Sequence, residues 1–380
     1  MSIQDIVTSA TSQTSLSQQA AVRVLVVDDS IVIRQLVVKM LESHPSIRVV
    51  GTARNGLDAL EKIEQLHPNL VTLDVEMPEL DGLGTLKILQ QRFPRVRVIM
   101  CSSYTQRGAS VTIDALLAGA DDYVTKQHGG KISEGGFDRM KEDLIAKIKQ
   151  IFDLDRQYQV FKSKPVPPMT ARECPVKRPV PKRWNGAARV APKILAIGVS
   201  TGGPTALAEI LPSIPADFPL PIVIVQHMPP LFTQLLAERL TALSKLNVVE
   251  GKDGMVLKPG RVILAPGNFH MEVVRSVGGI QIALNQNEQE NSCRPAVDVL
   301  FRSVAEVYGG AVIATVLTGM GQDGLLGTRI LKDLGASILV QDKATSVVWG
   351  MPGVIADAQL ADAVLPLGQI VPNILKCLYV

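Results

Sequence analysis

The sequence lacks the features that mark membrane-spanning and nucleic-acid-binding proteins. It has no uninterrupted apolar run of the roughly 18 to 20 residues that a transmembrane helix needs. Aromatic residues make up only 4% of the chain, which leaves little of the base-stacking surface expected of a nucleic-acid-binding protein. We therefore expect neither membrane insertion nor nucleic-acid binding.

Cysteine is scarce and widely spaced. The chain has Cys101, Cys174, Cys293 and Cys377, and no two of them form a C-x-x-C pair. Such spacing suits neither a disulfide scaffold nor a thiolate zinc site. Residues 1–20 are rich in Ser, Thr and Gln and lack the basic start and apolar segment of a secretion signal, so they predict a disordered leader. We expect a cytoplasmic protein.

Proline and positive charge are concentrated in one segment. Residues 161–193 carry nine Lys or Arg against the single acid Glu173, although the whole chain has a net charge of only +3. The same segment contains seven prolines, which predicts an extended connector between two domains. We predict four parts: a leader over 1–20, a first domain over 21–155, a basic linker over 156–192 and a second domain over 193–380.

Short apolar strands alternate with helical patterns on both sides of this linker. The first domain has five such strands, from "VRVLVVDD" to "DYVTK", and the second repeats the pattern from "KILAIGVS" to "SILVQD". This alternation predicts an α/β fold with a doubly wound parallel sheet in each domain. The segment "HMEVVRSVGGIQIAL" predicts a β-hairpin attached to the second sheet. In the first domain we expect helices from about Ser30, near 56–66, near 82–92, near 108–118 and near 137–152.

Polar side chains stand at the strand ends of the first domain. They are Asp28, Asp29, Asp74, Ser102 and Lys126. Each alone has an ordinary explanation, since an Asp after a strand is usually a turn former. Together, three carboxylates suit Mg²⁺, one of them can attack phosphorus, and a Lys and a hydroxyl can orient phosphoryl oxygens.

The motifs "VLVVDDS", "LDVEMPELDG", "MCSS" and "DYVTK" resemble those of the two-component receiver domain, which has a flavodoxin-like fold. The resemblance implies that Asp74 is phosphorylated by a partner histidine kinase. It also implies that Asp28 and Asp29 hold Mg²⁺ together with Asp74.

The same resemblance implies that Ser102 and Lys126 sense the phosphate and that Tyr123 changes rotamer with them. Receivers commonly have proline after this lysine, whereas this chain has Gln127. The resemblance therefore does not fix the backbone geometry after Lys126.

The strand ends of the second domain carry Ser200, His227 and a loop with Met320 and Asp323. A hydroxyl, an imidazole and a carboxylate at one sheet edge predict a triad in which His227 takes the Ser200 proton and Asp323 orients the imidazole. The rival interpretation of "GVSTGGPT" is a phosphate cradle, but the segment has no P-loop lysine and no G-x-G-x-x-G. It does satisfy G-x-S-x-G, which exposes a nucleophilic serine.

Spacing alone leaves alternatives open for the base and the acid. His270 opens the predicted hairpin and is a candidate substrate contact or a structural residue, while Asp342 rivals Asp323 as the acid. A metal site built from His227, His270 and Asp323 is a further possibility, but it would leave G-x-S-x-G without a role.

The chain order Ser, His, Asp differs from that of ordinary α/β-hydrolases. The motifs "GVSTGGP", "QHMPP", "APGNFHM", "CRPAVD", "LTGMGQDG" and "WGMPG" resemble the catalytic domain of the chemotaxis protein-glutamate methylesterase, or CheB, family. The resemblance implies that Ser200, His227 and Asp323 hydrolyse methyl esters on chemoreceptor cytoplasmic helices without a cofactor, and that they deamidate receptor glutamines. It further implies that Thr201 and the backbone near Met320 stabilise the oxyanion.

Two other functions compete with this interpretation. In the first, the chain is a phosphorylation-switched binding module without hydrolytic activity. In the second, it is a transcriptional regulator, although the second domain shows no helix-turn-helix pattern. We hypothesise that the first domain restricts access to Ser200 and that phosphorylation of Asp74 relieves this restriction.

Overall fold

The computed structural model describes residues 21–126, 134–154 and 190–378. The chain divides into two compact units, Met1–Ile148 and Lys149–Val380, which are called unit 1 and unit 2 below. The predicted leader and residues 156–189 of the predicted linker lie outside the described residues, so the four boundaries stay predictions. None of the described helices has both the length and the apolar character needed to cross a membrane.

Unit 1 has the predicted doubly wound parallel sheet, with strand order β2-β1-β3-β4-β5. Its strands are β1 Val22–Val27, β2 Ile47–Ala53, β3 Leu70–Asp74, β4 Arg97–Ser103 and β5 Asp122–Lys126. Its helices are α1 Ile31–Glu42, α2 Gly56–Leu66, α3 Gly82–Arg92, α4 Gln106–Leu117 and α5 Glu134–Ile151.

The first four helices of unit 1 begin directly after a polar N-cap residue. Ser30, Asn55, Asp81 and Thr105 each accept a hydrogen bond from a backbone N–H of the first turn. These N–H groups have no partner inside the helix, so a capping oxygen stabilises the helix start. The caps fix where the chain leaves each loop at the strand ends, and so position the side chains found there.

Unit 2 is built around a second parallel sheet, with strand order β14-β13-β12-β6-β7-β9-β8. Its strands are β6 Ile194–Val199, β7 Ile222–Gln226, β8 Asn247–Glu250, β9 Arg261–Leu264, β12 Val312–Val316, β13 Ser337–Gln341 and β14 Ala363–Leu365. Its helices are α6 Gly203–Ile210, α7 Phe232–Leu243, α8 Val297–Tyr308, α9 Leu325–Asp333, α10 Met351–Asp357 and α11 Leu367–Cys377, and a 3₁₀ turn spans Leu211–Ser213.

The predicted hairpin forms, but it is not attached to the large sheet. Strands β10 His270–Ser276 and β11 Gly279–Asn285 pair antiparallel as a separate two-stranded sheet. It packs on α8, where the Ser303 hydroxyl accepts a hydrogen bond from the Val273 amide at 3.0 Å. Buried Val273 and Ile282 join the core of unit 2 at this contact. The helix, rather than a strand edge, therefore supplies the surface that buries the hairpin.

Each parallel sheet has a point near its centre at which the strand order reverses. In unit 1 this point lies between β1 and β3, and in unit 2 it lies between β6 and β12. Loops leave such a point in opposite directions, which opens a crevice at the carboxyl ends of the strands. Asp28 and Asp74 flank the crevice of unit 1, and Ser200 and Thr318 flank that of unit 2.

Candidate phosphoacceptor and active sites

Three carboxylates gather at the switch point of unit 1. One oxygen from each of Asp28, Asp29 and Asp74 lies within 4.8 Å of the others, and among the described residues only this group offers three such ligands to a metal ion. Asp28 and Asp74 are buried, whereas Asp29 is exposed. Carboxylate oxygens are hard ligands of the kind that Mg²⁺ prefers. The donor set thus fits a divalent cation.

Lys126 bridges two of these carboxylates. Its ammonium lies 2.6 Å from Asp28 Oδ2 and 2.6 Å from Asp74 Oδ1. Burial raises the pKa of Asp74 to about 6; Lys126 opposes this shift and the charge of Asp28 reinforces it. Burial acts against the ammonium, but the two carboxylates outweigh it and raise the pKa of Lys126. Asp74 is therefore a buried carboxylate in a crowded negative site with one cation beside it.

The other predicted sensing residues lie near this site in the sheet but are engaged elsewhere. The Ser102 hydroxyl is fully buried and accepts a 2.6 Å hydrogen bond from Thr112. The buried Tyr123 ring packs under the Lys147 ammonium, which lies 5.0 Å from the ring centroid. Gln127 lies outside the described residues. Among the described residues, the structure thus pairs Asp74 directly with Lys126.

In unit 2, Ser200 follows β6 at the start of a tight turn. The Ser200 amide donates to the Thr318 carbonyl at 3.0 Å, and Gly203 N donates back to the Ser200 carbonyl at 2.8 Å. Gly202 has φ = 76°, a left-handed conformation that glycine adopts without strain, and it caps α6. The turn therefore brings Ser200 against the loop that follows β12.

His227 and Asp323 are joined by a short hydrogen bond. His227 Nε2 lies 2.7 Å from Asp323 Oδ2, and both side chains are largely buried. Burial disfavours the imidazolium, but the hydrogen bonds to Asp323 and Cys293 outweigh it and raise the pKa of His227. The other ring nitrogen, Nδ1, lies 3.6 Å from Cys293 Sγ. Asp323 thus holds the imidazole at Nε2 and leaves the other ring nitrogen, Nδ1, for a second partner.

The Asp323 carboxylate is saturated with hydrogen-bond donors. Oδ1 accepts from the Asp298 amide at 3.0 Å, the Gly324 amide at 2.9 Å and Asn291 Nδ2 at 3.0 Å, while Oδ2 accepts from the Val297 amide at 2.6 Å. Two of these amides open helix α8, where N–H groups lack intrahelical partners and favour an anion.

These donors control the charge of Asp323. Burial alone would raise its pKa, but the hydrogen bonds from His227 and from the Val297 and Asp298 amides hold the pKa of Asp323 below its usual range. The carboxylate therefore stays ionised beside His227.

Hydrogen bonds to backbone carbonyl groups connect the segment around Ser200 with the segment around His227. The His227 amide donates to the Val199 carbonyl at 3.2 Å, and buried Gln226 donates through Nε2 to the carbonyls of Ser200 at 3.0 Å and His227 at 3.2 Å. Among the described residues, no hydrogen bond joins the Ser200 hydroxyl to His227. The structure brings His227 and Asp323 into direct contact and places Ser200 and His227 directly after the paired strands β6 and β7.

The predicted oxyanion residues flank Ser200. The Thr201 carbonyl accepts a 2.9 Å hydrogen bond from the Thr318 hydroxyl, and Met320 follows Gly319. A Cβ at Gly319 would lie 2.9 Å from Ser200 Cβ and 3.1 Å from its amide nitrogen, so only glycine lets the loop approach this closely. The roles of Thr201 and Met320 stay predictions.

The alternatives left open by the sequence are engaged in other contacts. Asp342 Oδ1 accepts from the Thr345 amide at 3.0 Å and from its hydroxyl at 2.7 Å, which makes it a turn residue. His270 is buried and hydrogen-bonded through Nε2 to the Glu288 carbonyl at 2.9 Å. Asp323 is therefore the acid that contacts His227.

Comparison with known proteins identifies a domain family in each half of the chain. The CheB methylesterase family matches residues 195–374, and the response regulator receiver domain matches residues 24–132. A protein-glutamate methylesterase/protein-glutamine glutaminase from Trichodesmium erythraeum is 48% identical over 354 residues, which cover 93% of this chain and 98% of that protein. This chain belongs to the CheB methylesterase family.

A second full-length relative and a crystal structure of one domain are also similar to this chain. The Thermotoga maritima relative of the same name is 42% identical, with 93% of this chain and 98% of that protein covered. The crystal structure of the Thermotoga maritima CheB methylesterase catalytic domain is 44% identical; it covers 49% of this chain and 99% of that chain, with a TM-score of 0.48.

Three residues that contact Ser200, His227 or Asp323 were not predicted to belong to the site in unit 2. Gln226 and Cys293 lie inside motifs that carry the CheB resemblance, so their proximity to the site had a signal in the sequence. Asn291 lies outside these motifs, in a loop without periodicity, and nothing in the sequence pointed to it. All three contact the triad candidates through polar atoms.

Proposed function

We propose that this chain is a phosphorylation-activated serine esterase. It removes methyl groups from glutamyl methyl esters on the cytoplasmic helices of chemoreceptors, and it deamidates receptor glutamines by the same route. The observation that carries the proposal is the 2.7 Å bond between His227 and Asp323 beside the turn that presents Ser200. The names of the full-length relatives support the substrate class, and a cytoplasmic location follows from that substrate.

The proton path follows from the ring nitrogens. A charged Asp323 only accepts hydrogen bonds, so the neutral form of His227, which acts as the base, carries its proton on Nε2 and has its lone pair on Nδ1. Nδ1 then takes the Ser200 proton as Oγ attacks the ester carbonyl. Asp323 stabilises the imidazolium that forms, in keeping with the raised pKa of His227.

The acyl transfer proceeds in two halves. The tetrahedral intermediate collapses to an acyl-enzyme on Ser200 while Nδ1 returns its proton to the leaving methanol. Water, deprotonated by the same nitrogen, then frees the glutamate; with a glutamine substrate the leaving group is ammonia. Backbone N–H groups at Thr201 and Met320 stabilise the oxyanion, each worth about 3 to 4 kcal/mol in serine hydrolases. No cofactor enters this reaction.

Unit 1 regulates the esterase activity. Asp74 accepts the phosphoryl group from a chemotaxis histidine kinase, and Asp28 and Asp29 complete a Mg²⁺ site with it. The cation, when bound, neutralises charge on the phosphoryl oxygens. Lys126 already contacts both Asp28 and Asp74, so it is placed to bind the phosphoryl group once Asp74 is modified. Ser102 and Tyr123 respond to that change.

The test is methanol release from methylated receptor membranes, with and without a phosphodonor. We expect Ser200→Ala to abolish release and Asp74→Asn to retain only the unstimulated rate. The exposed residues Ser213 and Asp138 supply the matched controls Ser213→Ala and Asp138→Asn, which should behave as the native chain. Full activity in Ser200→Ala would instead support the binding-module alternative, and equal stimulation of Asp74→Asn would remove the regulatory part.

A further inference from the structure

One short turn between the hairpin and α8 contacts both members of the acid–base pair. Glu290 and Cys293 close it with two backbone hydrogen bonds, of 3.1 and 2.9 Å. Arg302 on α8 anchors it through Glu290, with contacts of 2.6 and 2.5 Å to the two carboxylate oxygens. From this anchored turn, Cys293 reaches His227 and Asn291 reaches Asp323.

The Asn291 amide contacts two carboxylates at once. Nδ2 lies 3.0 Å from Asp323 Oδ1 and 3.0 Å from Asp298 Oδ2. Since both oxygens lie at this distance from one nitrogen, they are at most twice that distance apart. An amide nitrogen carries two hydrogens, so it can donate one to each carboxylate and satisfy both.

Asp298 depends more on this amide than Asp323 does. It is fully buried on the first turn of α8, where its Oδ1 accepts from the Gly327 amide at 2.7 Å and its Oδ2 from Asn291. Burial raises the pKa of Asp298; the Gly327 bond opposes this, and the charge of Asp323 adds to it. Glu290 adds a further negative charge, which Arg302 balances. Two buried carboxylates therefore face each other across one neutral amide.

We propose that Asn291 is a positioning residue for the esterase reaction: its amide separates Asp298 from Asp323 and keeps Asp323 free to orient His227. The inference rests on the proposed function of Ser200, His227 and Asp323. Without the amide, the two carboxylates would reduce their repulsion by sharing a proton. Asp323 would then accept the His227 proton less well, and the imidazolium formed during catalysis would lose stabilisation.

The backbone of the turn dictates the choice of variants. Asn291 and the next residue, Ser292, both have left-handed φ values, of 52° and 61°. Asn291→Gly removes the amide without backbone strain, because glycine tolerates this region. Ser292→Gly makes the same kind of change next to it, at an exposed side chain, and is the matched control.

Asp298→Asn supplies the test of mechanism. It removes one of the two charges, keeps an oxygen for the Gly327 amide and places a new N–H donor opposite Asp323. If Asn291 acts by separating charges, this second substitution should rescue Asn291→Gly. If Asn291 only shapes the turn, Asp298→Asn has no means of repairing the defect.

The experiment measures kcat and KM for methanol release in the full chain. We expect Asn291→Gly to lower kcat by about 10- to 100-fold with KM nearly unchanged, the range for losing a hydrogen bond to a charged group. Ser292→Gly should stay within about threefold of the native chain. Asn291→Gly combined with Asp298→Asn should recover at least tenfold over Asn291→Gly alone.

Three results would overturn the inference: Asn291→Gly as active as Ser292→Gly, a loss in KM rather than kcat, or a double variant no faster than Asn291→Gly. Urea unfolding of both glycine variants checks that they are equally folded. Ser200→Ala, assayed in parallel, separates the two levels of the argument. An active Ser200→Ala variant sinks the proposed function, whereas a dead Ser200→Ala with a fully active Asn291→Gly sinks only the role of Asn291.

Discussion

Asp74 in unit 1 and Asp323 in unit 2 are both buried carboxylates at a switch point of a parallel sheet, yet their surroundings act in opposite directions. Asp74 shares its site with two other acids and one lysine, and burial raises its pKa to about 6. Asp323 accepts hydrogen bonds from three backbone amides and one side-chain amide, and its pKa is lowered.

The difference matches the two proposed roles. A carboxylate that attacks phosphorus needs an accessible lone pair, so a site with few fixed donors and an exchangeable cation suits it. A carboxylate that orients a base must keep its charge and position, which a set of fixed donors provides. The same residue type at equivalent places in two similar sheets thus serves two chemistries, and the donors around it decide which.

The largest expected effect comes from removing the charge of Asp323. Asp323→Asn should lower kcat by about 10⁴-fold, because the amide no longer holds His227 in the tautomer with a free Nδ1. The measurement is steady-state methanol release, with Asp342→Asn as the control, since Asp342 occupies its own turn. A kcat within tenfold of the native chain would show that the carboxylate is not needed to orient the base.

The next largest effect is expected in unit 1, at the lysine beside Asp74. Lys126→Met should abolish stimulation by a phosphodonor and leave the unstimulated esterase rate unchanged, because the ion pairs of Lys126 among the described residues are with Asp28 and Asp74 of unit 1. The assay compares methanol release before and after phosphorylation. The exposed residue Lys87 has no ion pair with these carboxylates, and Lys87→Met is the control. Normal stimulation of Lys126→Met would contradict a role in phosphate sensing.

A smaller effect is expected at the second ring nitrogen of His227. Iodoacetamide should inactivate the esterase by alkylating Cys293, because the added group would occupy the space beside Nδ1 that Ser200 must reach. Cys293→Ala should be resistant, and the exchange should itself change kcat by less than about tenfold, in line with one weak thiol hydrogen bond. Cys377→Ala is the control. Equal inactivation of Cys293→Ala would place the sensitive thiol elsewhere.

The smallest effect is on stability and follows from the two pKa shifts. The raised pKa of His227 gives stabilisation that is complete below its ordinary value of 6.5 and is lost as pH rises through the folded-state pKa. The lowered pKa of Asp323 gives stabilisation that is present above 3.8 and is lost as pH falls through its folded-state value.

The ion pair of His227 and Asp323 should therefore stabilise unit 2 most between pH 3.8 and pH 6.5, the ordinary pKa values of the two groups. The difference in unfolding free energy between the native chain and His227→Gln, from urea unfolding, should be largest in that window and shrink at alkaline pH. A difference that grows with rising pH would contradict the direction assigned to His227.

Much of the fold could be predicted from the sequence, and the same reasoning proposed both candidate sites, because strand periodicity locates the strand ends and parallel strands bring those ends together. The helix predicted near 108–118 begins two residues earlier, since Thr105 provides its cap. Strands β8 and β14 were not predicted, because β8 has only two apolar residues and β14 has only three residues in all. The prediction that the hairpin is attached to the large sheet is wrong, because the hairpin packs on helix α8. Sequence periodicity does not identify such a packing partner.

Within the sites, the sequence could not predict which hydrogen-bond donors surround each carboxylate. The lowered pKa of Asp323 depends on the hydrogen bond to His227 and on backbone amides at the start of α8, whose approach to the loop after β12 is set by tertiary packing. Asn291 occupies a left-handed position in an irregular turn, where no periodic signal exists. The residue types were visible in the sequence, but the environments that distinguish Asp74 from Asp323 were not.

The central claim is that His227, oriented by Asp323, activates Ser200. A fluorophosphonate reagent tests it directly, because it forms a covalent adduct only with an activated serine. The account predicts one adduct per chain, located on Ser200 by mass spectrometry, with labelling strongly slowed in His227→Gln and unchanged in Asp74→Asn. An adduct on another residue, or labelling of His227→Gln at the native rate, would contradict it.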